Sequence, residues 1–352
     1  MSPRLKQNKK ASRPKRRTLL VLLLYLALLL FFLWVLGFLW LLFFNDSNKN
    51  NNNSEIHDSI SSLPDKSESN EDSSESKKSS KISDENTEIE LEKNLGAPER
   101  DEYEPSMKSL FEKRELKFEN IEAIFDNMKS PKRPEMHSTF GKEVVYIYHT
   151  HSRESFLPYL KNTFKPEEAY HSIANITLVG KMLGRAIESN GIGTKVDTSD
   201  IVELLETKNL DYGSSYDLSG EIARAAQNEN RDLDYFIDVH RDSLRKENTS
   251  IEINGLNYAR LLFVVGTGHA DYEKNLAFAN ELQTMLDTQY PGLSKGILQK
   301  SSSQGNGVYN QDLSPNSIIL EIGGVDNTVE ELHRSTEAFA EVLSEFYWHG
   351  ED

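Results

Sequence analysis

Hydrophobic and polar positions divide this 352-residue chain into blocks of different period. Leu19 to Phe44 is an apolar run without a charged residue, preceded by Lys9, Lys10, Arg13, Lys15, Arg16 and Arg17. At 1.5 Å per residue a helix over that run is about 39 Å long, against the ~30 Å of a bilayer's hydrocarbon core. The pattern predicts a transmembrane anchor over 18–44 behind a basic tail over 1–17. The run closes Leu-Phe-Phe-Asn-Asp, without the small residues of a cleavage site, so the anchor is expected to stay uncleaved. The positive-inside rule then puts the N-terminus in the cytoplasm and the rest of the chain outside, as a single-pass cell-membrane protein. Residues 45–100 are Asn, Ser, Glu and Lys with almost no large apolar side chains. Such a stretch cannot bury enough surface to offset its ordering entropy and reads as a disordered polar linker. Apolar positions return over 101–139, where Leu116, Ile121, Ile124 and Phe125 suggest a short helix leading into a domain.

Over 140–350 short apolar runs alternate with amphipathic stretches, the mark of an α/β sheet. Strands are expected at Val144–Tyr148, Thr194–Asp197, Tyr235–Val239, Leu261–Val265 and Ile318–Ile322. A helix is expected over Ser172–Asn190, with Ile173, Ile176, Val179, Leu183 and Ile187 on one face and Gly191 as its C-cap. Further helices are expected at Glu221–Asn228, near Tyr272–Gln289, and after Thr328-x-x-Glu331, a capping box. The simplest assembly is a twisted, mostly parallel sheet with helices on both faces.

Charge and composition narrow the chemistry. The net charge is −16, and the basic first 44 residues leave about −24 for the remainder. An acidic domain lacks the basic footprint that nucleic acid requires. With no cysteine there is no disulfide framework and no thiolate metal site, so a metal must be held by His, Asp or Glu.

Three polar residues stand where apolar strands end: His151, His240 and Glu321. Ligands of open α/β sheets bind beyond the carboxyl ends of strands, so these side chains can share a crevice. Catalytic zinc commonly has two His, one Glu and a water as ligands. His151 and Glu154 are three apart just after a strand, and His240 would complete the set. Glu168, just ahead of the next helix, competes with Glu154 for the third place. Glu321, inside Ile-Ile-Leu-Glu-Ile-Gly-Gly, is costly among aliphatics without a purpose and suits a general base. Arg241 is a candidate for stabilising an oxyanion or binding a peptide carboxylate, with an ion pair to Asp238 or Asp242 as the plainer alternative. Asp238 is placed to orient His240.

Tyr148-His-Thr-His-Ser-Arg-Glu-Ser-Phe156, Asp238-Val-His-Arg-Asp-Ser243, Tyr309-Asn-Gln-Asp-Leu313 and Leu320-Glu-Ile-Gly-Gly-Val-Asp-Asn327 together resemble the stage II sporulation protein P family over residues 140–347. The resemblance extends to zinc N-acetylmuramoyl-L-alanine amidases, and implies an amidase-like fold and a Zn2+ cofactor. By the same resemblance His151, Glu154 or Glu168, and His240 are metal ligands and Glu321 is the catalytic base. The substrate implied is peptidoglycan, cut between N-acetylmuramic acid and L-alanine and also at peptide cross-links, during septum thinning and engulfment in sporulation. A membrane-bound lytic transglycosylase and a multispanning membrane protein are implied as partners. The residues alone also suit a membrane-tethered zinc carboxypeptidase, or a non-catalytic envelope scaffold that needs no metal.

Overall fold

The computed structural model describes residues 104–131 and 137–350. In chain order the elements are α1 (Met107–Phe111), α2 (Ile121–Asp126), β1 (Glu143–Tyr148), α3 (Ile176–Ser189), β2 (Gly193–Val196), α4 (Ile201–Lys208) and α5 (Ser215–Glu229). They continue with β3 (Tyr235–Asp242), α6 (Lys246–Thr249), β4 (Ser250–Ile253), β5 (Leu256–Ala259), β6 (Leu261–Gly266), α7 (Tyr272–Gln289), β7 (Ser294–Lys300), β8 (Asn316–Gly324) and α8 (Val329–His349).

Six strands form one sheet in the order β2-β1-β3-β8-β6-β7, and β4 with β5 makes a separate hairpin. The sheet is mixed. β2, β1, β3 and β8 run parallel, β6 is antiparallel to β8, and β7 is parallel to β6. Strands buried on both faces need apolar side chains at successive positions, which Val144–Tyr148 and Ile318–Leu320 supply. Alternation sorts them. Val145, Ile147, Ile237, Val239, Phe263, Ile318, Leu320 and Ile322 face the main core, where they meet α3, α7 and α8. Tyr146, Tyr148 and Phe236 face the other way, against Ala223 and Ala226 of α5. Further along that second face Leu262, Val264 and Ile319 are covered by Tyr309 and Tyr216.

The helix expected over Ser172–Asn190 begins four residues later. The Asn175 side chain accepts from Thr177 N and caps it, and Ile173 lies outside the helix, half exposed. Gly191 follows its C-terminus at φ +86, where a Cβ would strike the His137 carbonyl. The Thr328–Glu331 capping box is present at the start of α8. The lead-in region folds as two short helices. Leu110 of α1 is buried with Tyr170 and Tyr212, and Ile121 and Phe125 of α2 enter the main core.

Among the described residues no helix is long and apolar enough to cross a membrane. This corrects the expected architecture of a domain preceded by a transmembrane helix. The stretch expected to form it, 18–44, lies outside the described residues, as do the tail at 1–17 and the linker at 45–100. The single-pass topology, the cytoplasmic N-terminus and the cell-membrane localisation rested on that helix alone, and the structure gives them no support. The expectation of a lytic transglycosylase and a multispanning membrane protein as partners falls with them, since no described surface identifies either.

Candidate metal centre

The second sheet face places the chemistry. On β3, Asp238 and His240 share the parity of Phe236, and on β8 Glu321 shares that of Ile319, so all three point away from the main core. His240 and Glu321 are register partners on neighbouring strands, with backbones about 4.8 Å apart. Both residues lie within their strands: His240, expected just past the end of its strand, is inside the longer β3, and Glu321 is inside β8. The crevice therefore opens on the face of the sheet, where α5 stops covering it.

The loop after β1 delivers the other two groups. Glu154 N donates to the His151 carbonyl at 3.0 Å, closing a tight turn. Isolated bridges from Glu154 to Tyr170 and from Ser155 to Asn175 then fix the loop against the segment leading into α3. The Glu154 carboxylate is buried between two imidazoles. Oε1 lies 3.5 Å from His151 Nδ1, and Oε2 lies 3.6 Å from His240 Nδ1 and accepts from Arg241 N at 3.0 Å. One ligand atom from each of His151, Glu154 and His240 lies within 4.8 Å of the others. Glu168 is elsewhere, 3.6 Å from Lys165.

These residues fit a zinc ion. The separations of 3.5 and 3.6 Å exceed ordinary hydrogen bonds. They are close to the ~3.3 Å edge of a tetrahedron whose ligand bonds are ~2.0–2.1 Å. His240 Nε2 lies 3.1 Å from Asp238 Oδ1, though outside hydrogen-bond angles. A proton on that side leaves Nδ1 free to ligate, the arrangement metal-binding histidines usually show. Burial disfavours a charged His240, but Asp238 and Glu154 on its two nitrogens outweigh it and hold its pKa well above the ordinary value. For Glu154 burial again opposes charge, and His151, His240 and Arg241 override it to keep the carboxyl well below its ordinary range.

Around the cluster lies a cavity of about 320 Å³. Glu321, Ile319 and Val264 line it from the sheet, Lys300 from the end of β7 and Asn306 from the connection after it, and Glu104 and Pro105 from ahead of α1. Four tyrosines unassigned by sequence reasoning also line it, Tyr170, Tyr212, Tyr216 and Tyr309. The Tyr212 ring stacks on His151 at 4.9 Å, and Tyr216 lies 5.5 Å from His151 and 5.1 Å from Tyr309. Tyr309 belongs to one of the motifs that carried the resemblance. Tyr212, in the 3-10 turn just ahead of α5, and Tyr216, in its first turn, are four residues apart, a spacing that could have singled them out.

Arg241 is built into the loop. Its guanidinium donates to the carbonyls of Ser155, Ala169 and Asp242 at 3.0, 3.0 and 3.3 Å. Asp242 is met by Lys295 at 2.8 Å. His149 is separate from the cluster: its Nδ1 contacts the Asp197 carbonyl at 2.9 Å, and burial lowers its pKa to about 4.

An α/β domain with two histidines and a glutamate gathered on one sheet face is a candidate metal-binding domain. The profile of the stage II sporulation protein P family matches residues 37–344, and the chain belongs to that family. It is 47% identical over 250 residues to stage II sporulation protein P of Bacillus subtilis (strain 168), a match covering 70% of this chain and 62% of that protein. Among solved structures, it resembles an N-acetylmuramoyl-L-alanine amidase from Clostridium difficile 630 at TM-score 0.33 and 14% identity, over 59% of this chain and 96% of that one. A metallo-carboxypeptidase from Burkholderia cenocepacia resembles it at TM-score 0.29 and 13% identity, over 60% and 58%. Likenesses this distant do not choose between the two chemistries.

Proposed function

We propose that this chain is a zinc-dependent peptidoglycan hydrolase that cuts the amide joining N-acetylmuramic acid to L-alanine. The reading is carried by one observation: a His151–Glu154–His240 cluster with a carboxylate, Glu321, opposite His240 on the neighbouring strand. Membership of a sporulation family supports a wall substrate.

His151, Glu154 and His240 would hold the ion. A bound zinc would supply Lewis-acid chemistry there, polarising an amide carbonyl and making water more acidic. Glu321 takes the proton of the attacking water and returns it to the leaving amine, the work of a general base turned acid. Arg241, held by three carbonyls, fixes the loop that carries Glu154 and donates its backbone N–H to that carboxylate. The tyrosines wall the histidines off from bulk water, which strengthens their electrostatic interactions.

Digestion of purified sacculi by the zinc-loaded protein tests this reading. Release of whole stem peptides with new L-alanine N-termini and intact glycan strands is the expected result. Released single amino acids would assign carboxypeptidase chemistry instead. No release from a zinc-loaded, folded protein would leave a binding scaffold.

A further inference from the structure

Behind His240 the structure holds a chain of buried polar groups that zinc ligation and proton transfer do not use. Asp238 is wholly buried in β3. Its Oδ1 accepts from Thr150 N at 2.8 Å, and its Oδ2 accepts from Thr150 Oγ1 at 2.6 Å. Thr150 Oγ1 also lies 2.7 Å from Ser219 Oγ of α5. Asn310 Nδ2 in turn donates to Ser219 Oγ at 3.1 Å and to the Tyr216 carbonyl at 3.0 Å. Thr150, Ser219 and Asn310 are all buried.

Proton counting gives this chain a direction. A hydroxyl has one proton to donate. Thr150 spends its own on Asp238, so it cannot also donate to Ser219. Ser219 has two acceptors in reach, the Tyr216 carbonyl at 3.2 Å and Thr150 Oγ1 at 2.7 Å, and the shorter contact takes its proton while Asn310 donates to it. The amide NH₂ of Asn310 can only donate. Every bond therefore points the same way, from Asn310 through Ser219 and Thr150 to the Asp238 carboxylate, whose Oδ1 faces His240 Nε2 at 3.1 Å.

Backbone geometry shows that the remote end is built to hold. Asn310 sits at φ +57, an αL conformation asparagine tolerates better than most residues. Its side chain fits against Gly220, where a Cβ would overlap Asn310 Oδ1. The neighbouring Tyr309 lines the cavity. One end of the chain thus adjoins Tyr309 of the cavity wall, and the other abuts a candidate zinc ligand.

We propose that Thr150, Ser219 and Asn310 are positioning residues that orient His240 through Asp238, and so tie the segment that carries the cavity-lining Tyr309 to metal affinity. This rests on His240 being a zinc ligand. Outer partners of metal-bound histidines are typically worth 10–100-fold in affinity.

The test is zinc affinity of the full chain, measured by competition with a chromophoric chelator, for the wild type and for Thr150→Val, Thr150→Ser, Ser219→Ala and Asn310→Ala. Thr150→Val keeps the side-chain shape and the backbone N–H bond but loses the hydroxyl. It is expected to weaken zinc binding about tenfold. Thr150→Ser restores the hydroxyl and is expected to bind within about twofold of wild type, a rescue that a packing role for the methyl group would not give. Ser219→Ala and Asn310→Ala are expected to lose affinity in steps that shrink with distance from Asp238. If Thr150→Val does not fold, Ser219→Ala carries the test. Wild-type affinity in Thr150→Val, or in Ser219→Ala in its place, overturns the proposal while leaving the metal centre standing. A wild-type chain that binds no zinc overturns both.

Discussion

Glu154 is the residue on which the site turns. It touches both histidines and receives the Arg241 backbone N–H, so Glu154→Gln is expected to abolish stoichiometric zinc binding while Glu168→Gln leaves it intact. Metal analysis of the two purified variants checks this. Glu321 is expected to behave differently: Glu321→Gln should retain zinc and lower sacculus hydrolysis by about 10²–10⁴-fold, the usual worth of general acid–base catalysis. Zinc must also displace the proton that Asp238 and Glu154 hold on His240. Affinity should therefore tighten as pH rises, by up to about tenfold per unit while that proton is still bound, as titrations at several pH values would show. The candidates His151, His240 and Glu321 were legible because polar residues there interrupt or directly follow apolar strands. The choice between Glu154 and Glu168 was not, since it depends on a turn closed by a backbone bond from Glu154 to His151 and on a bridge to Tyr170. Spacing alone cannot show that.

At the scale of elements, the long amphipathic helices and the strongly apolar strands could be read from period. α4, β7 and the β4–β5 hairpin were missed, being short or only half-buried segments whose alternation is weak. The reversal of β6 was hidden for another reason: strand direction leaves no trace in hydrophobic pattern. Val264 of this reversed strand and Ile319, its neighbour across the pair on β8, line the cavity. α3 packs so closely on β1 that a Cβ at Gly180 would overlap the buried His149 ring. Gly180→Ala gains helix propensity of ~1 kcal/mol but overpacks this contact, which typically costs ~1–3 kcal/mol. A net loss of stability of about 1 kcal/mol is expected in urea denaturation, and a gain would show that the helix and ring separate readily.

For the whole molecule, acid stability follows from buried histidines. Burial favours neutral His149 and lowers its folded pKa to about 4, against 6.5 for an unperturbed histidine. Below 6.5 the unfolded chain binds a proton that the folded one refuses, so stability rises with pH across that window. This contribution is complete above about pH 6.5 and is lost as pH falls towards 4, at most on the order of 3 kcal/mol. His171 and His333, also lowered by burial, act in the same direction. His240 acts oppositely, but its raised pKa confines its effect to higher pH. Urea midpoints between pH 4 and 7 should therefore climb, and a flat profile would contradict a buried neutral His149. The lead-in segment belongs to the same folded unit. Arg153 pairs with Asp200 at 2.7 Å and donates to the Leu110 carbonyl at 3.2 Å, holding α1 beside the cavity that Pro105 lines.

Anomalous diffraction at the zinc absorption edge, from crystals of the zinc-loaded protein, bears most directly on the metal centre. A single strong peak about 2.0–2.2 Å from a nitrogen of His151, a carboxylate oxygen of Glu154 and Nδ1 of His240 is expected. A peak held by other residues, or none at this cluster in a protein that carries zinc, would contradict it.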